Sequence, residues 1–260
     1  MVEVKLSLNK SVDENAAVYF EKSKKAKKKL QGVKFALERS RQQLEEFKKK
    51  YESILEEEKN SEVVERKKDW YEKFRWFFTS EGLLVIGGRD ATTNELVVKK
   101  HTDQSDLVFH TDMAGGPFFV LKVSGEFSEK SIQQAADATI TFSRAWKLGL
   151  GSTEVFHVKP EQVSKQPQAG EFLPKGAFVI RGKTNYVNAK MSCAVGFAET
   201  RVIYGPVEAV ASHTNEYVVL EQSSDRVKTS ELAKQIKKKI GGDLDEIMRA
   251  LPPGNSRIKS

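Results

Sequence analysis

The sequence predicts an α+β protein in two parts, an N-terminal helical coiled-coil hairpin over residues 1–76 and a mixed α+β domain over residues 77–260. Three observations carry this. Apolar residues recur at alternating steps of three and four from position 16 to position 54, the spacing that keeps one stripe of a helix against a partner helix. After Trp70 the pattern changes to short β-type runs separated by turn residues. Residues 21–50 hold twelve Lys or Arg against four Glu, a net +8, whereas the whole chain carries +7. The basic character therefore lies in the first part and the core-forming residues in the second.

Ser11-Val12-Asp13-Glu14 reads as a capping box, in which a serine hydroxyl and a glutamate carboxylate satisfy each other's free backbone N–H groups. A helix is expected to start there and to run along the seam Ala16, Tyr19, Ser23, Ala26, Leu30, Val33, Leu37, Ser40, Leu44, Phe47, Tyr51 and Ile54, roughly 65 Å at 1.5 Å per residue. Gly32 lies off the seam and weakens the helix by about 1 kcal/mol without breaking it. The register is lost around Lys59-Asn60-Ser61. A second, shorter helix is expected through Val63, Val64, Tyr71 and Phe74, returning antiparallel; a turn nearer Gly32 is the alternative. Lys24, Lys25, Lys27, Lys28 and Lys29 form a basic face on the first helix. Such a face can simply be solvated, but lysines this dense repel one another, and a phosphate backbone relieves that repulsion. Self-association through the seam is a further outcome the heptads allow.

In the second part, strands are expected at Leu83 to Ile86, Leu96 to Lys99, Leu107 to His110, Phe118 to Val123, Glu154 to Val158, Ala177 to Arg181, Val207 to Ala211 and Tyr217 to Glu221. Ser128 is expected to cap a helix reaching about Leu148, with Ile132, Ala135, Ala136, Ile140 and Ala145 facing inward. An amphipathic helix from about Ser230 to Ile240 stops at Gly241-Gly242, and a last short helix ends at Pro252-Pro253.

The net charge of +7 and a sequence pI of about 9.2 favour a polyanionic partner. The single cysteine, Cys193, rules out an internal disulfide and fits a reducing compartment, so a cytoplasmic location is expected. No apolar run approaches the roughly 20 residues that span a bilayer, and Met1-Val2-Glu3-Val4-Lys5 lacks the core of a signal peptide. Gly87-Gly88-Arg89-Asp90 reads as a hairpin turn whose glycines take positive φ, and not as a nucleotide loop, which needs spaced glycines opening into a helix. His101, His110, His157 and His213 have no metal-ligand spacing, so neither a metal nor a cofactor is expected. His110 followed by Thr111-Asp112 is either an acid/base pair or an oriented hydrogen bond. An enzyme reading rests on those two residues alone, and no catalysis is expected. Cys193, among small residues, reads as a buried inert thiol. Basic groups beside turns, namely Lys99, Lys100, Lys165, Arg181 and Lys183 with Asn185, suit phosphate contact, and Tyr186 could stack on an unpaired base.

Phe74-Arg75-Trp76-Phe77, Gly87-Gly88-Arg89-Asp90-Ala91 with Asn94-Glu95, Asp106-Leu107-Val108-Phe109-His110-Thr111-Asp112 and Gln162-Val163-Ser164-Lys165 together resemble the R domain of the NFACT family. Gly170-Glu171-Phe172-Leu173 and Ile180-Arg181-Gly182-Lys183 with Asn185 extend the likeness. Glu14-Asn15-Ala16 to Tyr19-Phe20 is similar to the start of the family's coiled coil, and Leu251-Pro252-Pro253-Gly254 to its end after the R domain. The resemblance implies an RNA-binding module whose partners are large-subunit ribosomal RNA and tRNA at a stalled nascent chain. It also implies that the family's front half, with its tRNA-recognition domain and helix-hairpin-helix segment, lies outside this chain, which is then a fragment. On this reading Arg89, Lys165, Arg181 and Lys183 contact RNA, and His110 and Asp112 shape the same surface. The alternative is a protein-interaction scaffold whose coiled coil recruits a ribosomal stalk protein or a ubiquitin ligase, with a structural R domain.

Overall fold

The computed structural model describes residues 4–9, 11–59, 66–113, 115–166 and 172–259. The chain divides into two compact units, residues 1–63 and 64–260. The first is a single long helix, α1 (Val12–Lys59), which passes through Gly32 unbroken. Its start is the expected capping box: Ser11 N–H donates to Glu14 Oε2 at 2.7 Å and Glu14 N–H to Ser11 Oγ at 3.2 Å. The preceding residues fold back on this first turn, where Asn15 accepts from Ser7 N–H and donates to the Ser7 and Ser11 carbonyls, and Tyr19 Oη donates to the Lys5 carbonyl.

The expected return helix is not found among the described residues. Val63, Val64, Asn60 and Ser61 lie outside them, and residues 66–69 have no regular secondary structure. Trp70–Lys73 form one 3-10 turn, after which the chain enters a strand. Tyr71, Phe74 and Trp76 are buried, so this segment completes the globular core and does not lie along a helical seam. The globular unit accordingly begins well before residue 77.

That unit is built on a six-stranded antiparallel sheet of β1 (Arg75–Phe78), β2 (Leu84–Gly87), β3 (Leu107–Thr111), β4 (Phe119–Leu121), β5 (Ser152–Val158) and β8 (Asn185–Lys190), in the order β1-β2-β4-β3-β5-β8. A two-stranded piece joins β6 (Val163–Ser164) to β7 (Val179–Ile180). A four-stranded sheet has the order β10-β9-β11-β12, from β9 (Cys193–Ala198), β10 (Arg201–Gly205), β11 (Tyr217–Gln222) and β12 (Ser256–Ile258). The helices are α2 (Ala91–Lys100), α3 (Glu129–Thr141), α4 (Arg144–Leu148), α5 (Val207–Ala211), α6 (Thr229–Ile240) and α7 (Leu244–Ala250).

Much of the expected pattern is present, including the Ser128 cap and the inward set Ile132, Ala135, Ala136, Ile140 and Ala145. Its helix breaks at Ser143, whose hydroxyl donates to the Ile140 carbonyl at 2.7 Å and accepts from Ala145 N–H at 3.1 Å, ending α3 and starting α4. Two expected strands are helices. Leu96 to Lys99 lies in α2, because the Asp90 carboxylate accepts from Thr93 N–H at 2.8 Å while the Thr93 hydroxyl accepts from Arg89 and Asp90 N–H. That N-cap outweighs the β-branched side chains, and Val97 is fully buried. Val207 to Ala211 forms α5 after Pro206, burying Ala209 and Val210.

Gly87-Gly88-Arg89-Asp90 is likewise not a hairpin turn, and neither glycine is among those with positive φ. Both are required for close approach. A Cβ on Gly87 would meet the Phe119 ring at 2.4 Å, and one on Gly88 would meet Asn94 Oδ1 at 1.8 Å. Among the described residues no helix is long and apolar enough to cross a membrane.

Candidate nucleic-acid interface

β2 delivers Gly88–Asp90 to the N-terminus of α2, β3 ends at His110-Thr111-Asp112, and β1 starts at Arg75. These three places, together with the 115–118 loop, Phe142–Arg144 at the α3–α4 junction, and the 174–178 loop before β7, enclose one open cavity of about 650 Å³. Its lining combines Phe118, Phe156, Phe178, Pro117 and Ile180 with the cations Arg75, Arg89 and Arg144. The rings interlock: His110 lies 4.1 Å from Phe118, Phe118 lies 5.2 Å from Phe178 and edge-on to it, and His110 lies 6.0 Å from Phe156.

Arg75 is the residue that the sequence reading did not single out. Along β1 it alternates onto the same side as Phe77, which is 2% exposed, so the period of two places a cation on a buried face. A charge inside the run Phe74-Arg75-Trp76-Phe77 was the available signal. Its guanidinium sits 4.4 Å above the Phe142 ring, and Nη1 is buried with no acceptor among the described residues. Burial, with the nearby Arg89 charge adding to it, brings its pKa down to about 10, so it remains a cation at neutral pH.

Arg89 lines the cavity and holds three chain segments together: it donates to the Arg249 carbonyl at 2.9 Å, the Phe74 carbonyl at 3.0 Å and the Tyr204 hydroxyl at 3.2 Å. All three acceptors are neutral. His110 is at the wall, its Nε2 3.2 Å from the Gly116 carbonyl, which makes that nitrogen the donor; burial lowers its pKa. Asp112 accepts from the Tyr186 hydroxyl at 3.3 Å. His110 and Asp112 are thus each bonded to a different partner.

The other expected residues divide into those with an acidic partner and those without one among the described residues. Lys165 is drawn inward: its ammonium is 2.7 Å from Glu95 Oε1, donates to the Pro174 and Ala177 carbonyls, and lies over the Phe178 ring. That bond, with Gly176 N–H and then Lys99, holds the Glu95 carboxyl down at about 2. Lys99 pairs with Glu95 at 3.2 Å. Lys100, Arg181, Lys183 and Asn185 are exposed. Arg181 and Lys183 follow β7, and Gln162 Nε2 fixes their turn by donating to both their carbonyls at 2.8 Å. Arg181 directly follows the cavity-lining Ile180, whereas Asn185 opens β8 opposite His157. Lys99 and Lys100 end α2, away from its cavity-lining N-terminus.

In the separate helical unit, Lys24, Lys25, Lys27, Lys28 and Lys29 are all exposed. At 3.6 residues per turn they fan across the side opposite Ala26, Leu30, Val33 and Leu37. Among the described residues no group of His, Cys, Asp and Glu is arranged to hold a metal ion.

Comparison with known proteins gives a consistent picture. A family model for the NFACT protein RNA binding domain matches residues 73–182, which include most of the cavity wall. The archaeal Rqc2 homolog aRqcH of Methanocaldococcus jannaschii is 40% identical over 202 residues, covering 75% of this chain and 30% of that protein. The ribosome quality control complex subunit NEMF of Mus musculus is 33% identical over 241 residues, covering 89% of this chain and 22% of the relative. The Drosophila melanogaster NEMF homolog is 35% identical over 191 residues, covering 72% and 19%. The chain therefore spans between a fifth and a third of the length of these relatives.

Proposed function

This chain belongs to the NFACT family and carries its R domain over residues 73–182, and from that premise we propose that it is the RNA-binding portion of a ribosome quality-control factor. It acts in the cytoplasm on stalled nascent-chain complexes, its globular unit binding large-subunit ribosomal RNA and tRNA and its lysine-faced helix serving as a second basic contact. The observation that carries this reading is that exposed cations, Arg181 and Lys183, stand on a turn tied by Gln162 just after the cavity-lining Ile180, in or next to the matched RNA-binding segment. Cations on strand ends can meet phosphates while the sheet holds their position. Arg89 and Lys165 support that surface from within, through the carbonyls and carboxylate they bind.

Binding of tRNA and of large ribosomal subunits is measured against salt for the wild type, an Arg181→Ala/Lys183→Ala variant and a variant with Lys24, Lys25, Lys27, Lys28 and Lys29 changed to Gln. Affinity is expected to fall steeply with salt, and the slope to decrease by about 1 for each phosphate contact removed. A flat salt dependence, or wild-type affinity in both variants, overturns the reading.

The second reading, a scaffold that recruits a ribosomal stalk protein or a ubiquitin ligase, is favoured by the seam of α1, where Leu30, Val33, Leu37, Leu44 and Phe47 are between 53% and 71% exposed. Partner capture that survives nuclease treatment and is lost in a Leu37→Asp/Leu44→Asp variant supports it.

A further inference from the structure

A cation that is buried without a counter-charge is expensive to keep, and folded proteins neutralise such groups or pair them. Arg75 is neither. Its side chain is half-buried, its guanidinium rests on Phe142, its buried Nη1 atom has no acceptor among the described residues, and the nearby Arg89 charge opposes its own. Arg89 does not neutralise the site, because it spends its donors on two carbonyls and a phenol. Arg144, also on the lining, is exposed. The two carboxylates on the wall are committed elsewhere: Asp90 caps α2 through Thr93, and Asp112 faces the Tyr186 hydroxyl. The floor of the cavity thus presents guanidinium groups that have no ion-pair partner among the described residues.

The remaining wall is apolar and aromatic, and the volume of about 650 Å³ is of the size that holds an organic ligand and far exceeds what an inorganic anion would need. The site is also preformed. A Cβ on Gly116 would meet the Thr111 methyl at 2.8 Å, and one on Gly176 would meet the Ala91 Cα at 2.6 Å, so the loops on opposite sides are packed to their limit.

We propose that this cavity binds one nucleoside monophosphate unit, its phosphate against Arg75 and Arg144 and its base in the apolar pocket bounded by Phe118, Phe178 and Ile180. A phosphate suits the floor, since its oxygens can accept from more than one guanidinium at once. The unit is either a free nucleotide or the phosphorylated terminal residue of an RNA; the latter source rests on the RNA-binding reading above, and the chemistry of the pocket is the same for both.

The test is calorimetric titration of the full chain with adenosine 5′-monophosphate, cytidine 5′-monophosphate, adenosine and inorganic phosphate. At least one nucleotide is expected to bind about tenfold or more tightly than adenosine or phosphate alone, in keeping with a charge-assisted contact. Arg75→Met is expected to fold with unchanged or higher thermal stability and to lose that affinity. Should it fail to fold, Arg144→Glu, at an exposed position, is expected to lower affinity by about threefold or more and serves as the second variant. A short single-stranded RNA bearing a 5′-phosphate that displaces the nucleotide, when its unphosphorylated counterpart does not, identifies a terminal residue as the source; no displacement identifies the free nucleotide. Absence of binding by either nucleotide, or equal binding by the folded variants and wild type, overturns the proposal. If tRNA binding then keeps its salt dependence, only the pocket assignment falls; if tRNA binding is also absent, both readings fall.

Discussion

Removing the Asp106 carboxylate should be among the most damaging single changes in the globular unit. Asp106 opens the motif that ends at His110 and Asp112, yet it is 1% exposed and touches no ligand surface. Its Oδ2 accepts from Asp103 N–H at 2.7 Å and from the Lys122 ammonium, and its Oδ1 accepts from Val123 N–H at 3.0 Å. One side chain thus ties the turn before β3 to the segment leaving β4. In Asp106→Ala three donors lose their acceptor. Breaking a buried ion pair costs about 3–5 kcal/mol when the surviving charge is stranded. Lys122 is not fully stranded: it keeps Asp103 Oδ2 at 2.6 Å and the His101 carbonyl at 3.1 Å, and its side chain is 19% exposed. The lower end applies, about 3 kcal/mol, equivalent to a fall of roughly 6–12 °C in midpoint for a unit of this size. Asp106→Asn keeps one acceptor but turns an amide toward the ammonium, and should cost about 2 kcal/mol. Urea unfolding followed by tryptophan fluorescence reads both values. A loss below about 1 kcal/mol in Asp106→Ala would show that solvent replaces the carboxylate freely and that this motif is not held together as described.

Three further outcomes follow from the titratable groups. Glu95 has its carboxyl lowered from 4.5 to about 2, chiefly by Lys165; a lowered acid stabilises the fold above its unfolded value and ceases to as pH falls through its folded one. The urea midpoints of wild type and Glu95→Gln should therefore differ at neutral pH and converge between 4.5 and about 2; a gap that persists through that window refutes the ion pair as its source. The Cys193 thiol is fully buried and pushed up to about 12, so an aromatic disulfide reagent should leave it unmodified in the native protein and modify it once urea unfolds the chain; rapid native reaction would place it at the surface. Burial also lowers His110 below the usual 6.5. Its ring should titrate below that value by NMR, and its contribution to stability should be present above 6.5 and lost as pH falls through the lowered value; a ring that titrates above 6.5 would show that burial does not dominate its environment.

What could be read in the sequence was mainly what is decided locally. The Ser11 capping box, the Ser128 cap and the stop at Gly241-Gly242, with φ of +75° and +86°, each depend on residues within a turn of one another, and each is in place. Errors arose where a local preference was overruled by a neighbour not weighed beside it. Leu96-Val97-Val98 has the side chains of a strand, but Asp90 and Thr93 nucleate a helix ahead of it and a buried face completes it. Gly87-Gly88 has the composition of a turn, but its glycines answer to Phe119 and Asn94, distant in sequence or folded back on them.

The functional surface was harder to read than the fold because a cation's role depends on what its far end meets. Lys165 and Arg181 stand alike in the sequence as basic residues beside turns. In the folded chain the first is bound by Glu95 and two carbonyls, while the second is exposed with, among the described residues, only the Gln166 carbonyl at 3.3 Å. Charge patterning singled out the lysines of α1 and the cations beside turns, which are the groups that solvent neutralises at least cost. Arg75 carries a single charge within an aromatic run and adds little to any count, yet its position is the costly one. For this fold the better guide to a binding site is the cation whose placement the structure does not compensate. That criterion separates the cavity floor from the surrounding basic surface before any partner has been measured.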